Sequence, residues 1–433
     1  MVKQFTEDTD TDGSEPSIMR NRRIFGVNRT VFVLGIVSFL TDVSSEMLIP
    51  IVPQFLKFII GTSTLSIGLI EGIAESTASV LRVWAGYLAD KFGRPKLLTV
   101  LGYGLSALSK PLYLFAGAWP DVLGIRFADR FGKGIRSAPR DVLIADAADE
   151  SERGRAFGLH RAMDTAGAAL GPLIILVIVW LLVGRAAPEA LGTHNRSIYH
   201  VIFIAASVPA LLGWVVLAVF VPERMHGIGN TDLPHIKLSG LDKRFRLFLA
   251  TVTLFAIGNS SDAFLVLRAR SAPIGMGFLT FLWVYVVFNT ISAVVSLKSG
   301  IVSDRIGRRP LIIAGWLVFS VVYFAMARIT TPLGVWIWFT IYGVYYGLTE
   351  GILRAYAIDL APERLRGTAV GAYYTFTGAA LLPASVIAGF LWNKIGPSAP
   401  FYYGAATSLA ATILFAILVK QRPENGVSAI HPE

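Results

Sequence analysis

The chain has 433 residues, 54% of them hydrophobic and only 16% charged, whereas a soluble domain carries about 25% charge. Its net charge of +10 would suit a nucleic-acid partner in a soluble protein, but the basic residues cluster in short loops between apolar runs, which is the pattern of membrane topology and not of a nucleic-acid face. With no cysteine, the chain has no disulfide, no thiol chemistry and no thiolate metal site.

Residues 1–18 are polar and rich in acids (Glu7, Asp8, Asp10, Asp12, Glu15) and lack the basic and apolar parts of a signal peptide. Residues 1–18 therefore read as disordered, and 1–27 as a polar cytoplasmic tail. A run of about 18 or more mostly apolar residues reads as a membrane-spanning helix. Twelve such spans are expected, at 30–58, 66–89, 97–117, 121–145, 156–184, 199–221, 245–268, 276–302, 310–329, 332–358, 367–393 and 398–420. The polar stretch 222–244 reads as a linker between two six-helix halves, 28–221 and 245–420, and 421–433 as a second tail. Basic residues flank one side: Arg20, Arg22 and Arg23 before span 1, Lys91, Arg94 and Lys96 after span 2, Arg153 and Arg155 after span 4, and Arg305, Arg308 and Arg309 after span 8. The positive-inside rule then puts both termini in the cytoplasm, in a cell or inner membrane.

The loop Gly86-Tyr87-Leu88-Ala89-Asp90-Lys91-Phe92-Gly93-Arg94-Pro95-Lys96 returns 214 residues further on as Gly300-Ile301-Val302-Ser303-Asp304-Arg305-Ile306-Gly307-Arg308-Arg309-Pro310. Ser44-Ser45-Glu46 in span 1 matches Ser260-Ser261-Asp262 in span 7. Asp146 and the following Arg153-Gly154-Arg155 match Asp359 and Arg366-Gly367-Thr368. The glycines of the doubled loop suit a tight turn at Gly93 and Gly307 and a close helix approach at Gly86 and Gly300. Asp90 and Asp304 suit a helix N-terminus. Arg94 and Arg308 can pair with Asp146 and Asp359 as a latch that closes the cytoplasmic side.

Charge inside the spans is concentrated in the first half. Span 1 carries Asp42 and Glu46, span 2 carries Glu71, Glu75 and Arg82, span 4 carries Arg126, Asp129, Arg130, Lys133 and Arg136, and span 5 opens with His160, Arg161 and Asp164. A charge at the membrane centre costs roughly 2.5–3.5 kcal/mol on insertion scales. Spacings of three and four put each set on one helix face, and that face must point into the bundle. The acids and bases balance, so many are expected to pair. Carboxylates among Asp42, Glu46, Glu71, Glu75, Asp129 and Asp164, with Arg126, are the candidates for proton coupling. Arg130, Lys133 and Arg136 are candidates for solute contact. The second half is mostly uncharged here: Tyr285 and Asn289 stand where Glu71 and Glu75 stand in the first, and Tyr342, Tyr346, Asp262 and Glu350 complete the candidate solute-contacting set.

With its doubled loop the chain resembles the major facilitator superfamily, whose G-x-L-x-D-x-x-G-R-K/R signature lies between helices 2 and 3. The match departs at Pro95 and at Val302, which replaces the leucine of the second copy. The resemblance implies an all-α membrane protein of twelve helices in two six-helix pseudo-symmetric bundles, working by alternating access. Arg126 resembles the arginine linked in that family to proton coupling. Gly167-Ala-Ala-Leu-Gly171-Pro172 in span 5 resembles its antiporter motif, without the usual trailing glycines. The expectation is a monomeric, proton-coupled exporter of a small solute, embedded in lipid, with no cofactor, metal or nucleic acid. The alternative is proton symport of an organic anion or a metal chelate. A receptor or membrane enzyme is the remote alternative, since no HExxH, GxSxG or Walker loop is present.

Overall fold

The computed structural model describes residues 23–24, 27–92, 94–148, 152–183, 195–223, 241–362 and 365–419. The tails and most of the expected linker lie outside them. A two-residue hairpin pair, β1 (Arg23–Ile24) and β2 (Val27–Asn28), precedes the helices. Twelve long helices follow: α1 (Arg29–Ile59), α2 (Thr64–Phe92), α3 (Pro95–Ser109), α4 (Trp119–Asp146), α5 (Arg153–Val183), α6 (Arg196–Phe220), α7 (Lys243–Arg270), α8 (Phe278–Ile306), α9 (Arg308–Arg328), α10 (Pro332–Asp359), α11 (Arg366–Lys394) and α12 (Ala399–Leu418). They coincide with the twelve expected spans.

Three helices are less regular than their hydropathy suggests, each for a local reason. The helix of α1 turns after Leu48, at Pro50 and Pro53, and closes in a wide turn over Phe55–Ile59, since proline cannot donate to the preceding turn. α3 ends at Ser109 and tightens over Lys110–Phe115, with Pro111 at the junction. α7 is interrupted between Gly258 and Ala263, where Asn259-Ser260-Ser261-Asp262 offers side chains that compete for backbone groups. By length and hydropathy alone, eight of the described helices qualify as spans. Of the four that fall outside, α2 and α4 carry the charged faces, and α3 has only 15 residues.

The buried apolar residues fall into three groups. One belongs to the first half, around Val31, Leu34, Leu143 and Leu217. A second belongs to the second half, around Phe248, Trp316 and Phe415. The third joins the halves: Met47, Val52 and Phe55 at the end of α1 share a core with Ala263, Leu267, Phe278 and Leu282. The halves are thus packed together at the end where α1 finishes and α2 begins. They have separate cores at the opposite end, where α1 starts and α12 finishes.

Candidate functional site: the charged interior

The i, i+4 spacing of Glu71 and Glu75 on α2, and of Arg126 and Arg130 on α4, builds two rungs between these helices. Arg126 pairs with Glu71, both side chains being 5% exposed or less. Arg130 Nε lies 3.0 Å from Glu75 Oε1 and 3.9 Å from Asp129 Oδ2. Asp129 also accepts the Ser106 hydroxyl of α3. On the other flank, Ser38 of α1 donates to Asp164 at 2.6 Å, and Arg161 Nη1 lies 3.2 Å from the second oxygen of Asp164. Asp42 faces the same carboxylate. Arg136 lies over the Tyr103 ring at 4.1 Å, buried between α3 and α4. Of the three basic residues expected at the solute, Arg130 and Arg136 are therefore held in helix packing. Lys133 is partly exposed and makes no ion pair within 4.0 Å among the described residues.

Two buried cations have no counterpart in the sequence reading. Arg268 of α7 donates to the carbonyls of Met326, Ala327 and Ile329. Lys110, only 1% exposed, donates to Ser44 at 2.6 Å and to Ser45 at 3.2 Å. Ser44 in turn donates to the carbonyl of Ala206 on α6. The available signal for Lys110 was its place four residues after Ser106, on the same face of α3.

The second half answers with aromatic hydroxyls. Tyr342 and Tyr346 of α10 donate to the two oxygens of Asp262, at 2.7 and 3.1 Å. Asn259 donates to the Tyr345 hydroxyl at 3.1 Å. Tyr285 of α8 reaches across to the first half and donates to Glu46 Oε2 at 3.0 Å. Asn289, one turn on, has its Nδ2 buried without a hydrogen-bond acceptor. Glu350 lies at the parted end, 62% exposed and 3.9 Å from Arg161 of the other half.

Two glycine patterns set how the helices meet. Gly167 and Gly171 of α5 lie against the backbone of α1 at Phe39 and Val43, and a Cβ at Gly171 would come within 2.7 Å of the Val43 carbonyl. Pro172 is buried beside them. The antiporter-like motif is therefore a close-packing seam between α1 and α5. The second pattern was not singled out in the sequence. Gly68, Gly72 and Ser76 recur every four residues on α2 and meet Ser385, Leu382 and Gly378 of α11, while Gly389 of α11 meets Thr64 and Leu65. Ser76 donates to the Gly378 carbonyl at 2.7 Å, Thr64 bonds Asn393, and Arg82 lies 4.6 Å over the Tyr374 ring. This seam joins the two halves.

In the doubled loop, Gly307 has φ 83° and makes the turn between α8 and α9. Arg308 pairs with Asp359 at the end of α10, so this contact ties the loop to its own half. The expected close approach at Gly300 is absent, with no atom within 4 Å of a Cβ placed there, because this stretch of α8 faces outward, with Leu297 and Ile301 exposed beside it. Arg94 is exposed at the start of α3, and Asp146 ends α4. Gly93, and the surroundings of Gly86, Asp90 and Asp304, lie outside the described residues.

Two matched sets of six helices, closed at one end around a charged interior, define a polytopic membrane transporter. The chain belongs to the Major Facilitator Superfamily, whose family model matches residues 34–384 and 247–431. It is 34% identical over 394 residues to an uncharacterized MFS-type transporter of Methanocaldococcus jannaschii, covering 90% of this chain and 94% of the relative. It is 22% identical over 410 residues to the cis,cis-muconate transport protein of Acinetobacter baylyi, covering 91% and 95%. Among solved structures, a POT family transporter in complex with 5-aminolevulinic acid superposes with a TM-score of 0.74 at 13% identity, covering 92% and 97%; at that identity the likeness shows the fold alone.

Proposed function

We propose that this chain is a monomeric secondary transporter that moves a small organic solute through alternating access, coupled to protons, in the cytoplasmic or inner membrane with both termini inside. The observation that carries the coupling is the Tyr285–Glu46 hydrogen bond. It joins the two halves within the membrane, so a rocking motion that separates α1 from α8 must break it. A carboxyl that loses its donor and changes its access to water gains or loses a proton, which ties the motion to proton flow. Asp42 beside Asp164 is a second candidate, a carboxylate pair that two ionised groups do not share without cost. Glu71, Glu75 and Asp129 are committed to arginine or serine partners and serve to hold α2, α3 and α4 together. In the orientation given by the basic loops, the parted end faces the cytoplasm and the shared core closes the outside.

Direction rests on the Gly167–Gly171–Pro172 seam, whose likeness to an antiporter motif favours export in exchange for protons. Symport of an organic anion is the second reading, favoured by the relative named for cis,cis-muconate and by Lys133, a partly exposed interior cation that makes no ion pair within 4.0 Å among the described residues. Right-side-out proteoliposomes with an inward proton gradient separate the two. Muconate accumulation inside would overturn export, whereas proton entry accelerated by solute loaded inside supports it.

A further inference from the structure

Asp262 sits where α7 is interrupted, between Gly258 and Ala263. Both of its oxygens accept a tyrosine hydroxyl, which is the arrangement of an ionised, acceptor-only carboxylate. No cationic side chain lies within 4.0 Å of it among the described residues, and it retains partial exposure in the interior. Every first-half carboxylate held in a rung has an arginine beside it; Asp262 has hydroxyls in that place.

The surroundings complete a site. Phe288 lies face to face with Tyr342 at 5.6 Å and 19°, while Tyr346 stands perpendicular to Phe288 at 5.5 Å and 90°. Phe288 and Tyr342 stack on each other and are buried, 4% and 1% exposed, and Tyr346 is the partly exposed ring beside the carboxylate. A cation within about 6 Å of such ring faces is attracted by them, alkylammonium groups above all. We propose that Asp262 and Tyr346, backed by the packed rings of Phe288 and Tyr342, receive an alkylammonium group of the transported solute. This deepens, and rests on, the reading of the chain as a solute transporter. Lys133, on the other half, is left for an anionic group of the same molecule. The class that fits both is a small amino-carboxylate zwitterion.

The test uses three probes of one skeleton on the full chain in detergent: 2-phenylethylamine, phenylalanine and 3-phenylpropionate, followed by calorimetry. Phenylalanine and the amine are expected to bind, the carboxylate at least tenfold more weakly than phenylalanine. Asp262→Asn is expected to weaken the two amine-bearing probes at least tenfold and leave 3-phenylpropionate unchanged; Asp262→Glu and Tyr346→Phe retain part of the binding. The comparison among probes needs only the unmodified protein, so misfolding of a variant does not blunt it. Binding of 3-phenylpropionate alone, of none of the three, or of the amine at equal strength in Asp262→Asn overturns the proposal, as does displacement of the amine by sodium but not by choline. Amine binding without any solute-driven proton movement in liposomes would leave the site standing and remove the transport reading.

Discussion

Arg126 of α4 and Glu71 of α2 form an ion pair from which water is almost wholly excluded, the two side chains being 5% and 4% exposed. Removing one partner strands the other charge. Arg126→Met is expected to destabilise the protein by about 3–5 kcal/mol. The double variant Glu71→Met/Arg126→Met is expected to recover most of that loss, because no charge is left unpaired. Thermal unfolding in detergent checks both, and a double variant as unstable as the single one would contradict this account of the rung.

Glu46 is bonded to a hydroxyl and not to a cation, and that bond crosses between halves. Glu46→Gln is expected to abolish the dependence of transport on a proton gradient while sparing solute exchange at equal pH on both sides. Tyr285→Phe keeps the carboxyl and removes one hydrogen bond, worth about 1–1.5 kcal/mol. Initial rates measured against external pH should shift with Tyr285→Phe and flatten with Glu46→Gln.

The glycines of α5 divide into two kinds. A Cβ at Gly171 would lie 2.7 Å from the Val43 carbonyl, while nothing lies within 4 Å of one at Gly158. Gly171→Ala is expected to cost about 1–3 kcal/mol through overpacking. Gly158→Ala is expected to be stabilising by up to about 1 kcal/mol, since alanine is the better helix former. Melting temperatures that move in the same direction for both would refute the assignment.

Arg308 and Asp359 pair where both side chains keep contact with water, at 27% and 47% exposure. Asp359→Asn should therefore change stability by less than about 1 kcal/mol. A role in closing the cytoplasmic side would show instead as a transport rate altered severalfold at unchanged stability. An unaltered rate would reduce the pair to a tether between α10 and the loop before α9.

The number and order of helices were legible because most are long apolar runs, and the interior face of α2 and α4 because charges recur at helical spacing. Which arginine meets which glutamate was not legible. That depends on the rotation of α4 against α2, which Gly134 packed on Leu81 and Ala78 helps to set. Arg136 illustrates the same gap: its spacing matches Arg126 and Lys133, yet Gly102 opens room on α3 and the side chain turns to Tyr103. Asp262 and its tyrosines were legible as types but not as a cluster, since the break in α7 brings them together. Lys110 escaped although it lies within the expected span 97–117, because only the packing of α3 and its tightened turn on α1 shows that it meets Ser44 and Ser45.

The glycine and serine seam between α2 and α11 sets the geometry of any large movement. Backbones this close, with Ser76 bonded to the Gly378 carbonyl, tolerate rotation along their shared line far better than separation. Displacement then grows with distance from that line, as in a door about its post. Helices away from it sweep a wider arc, and spectroscopic labels on α5 and α8, which pack on each other across the halves rather than on α2 or α11, in a chain free of native cysteine, would register a change in distance between the two ends of the cycle.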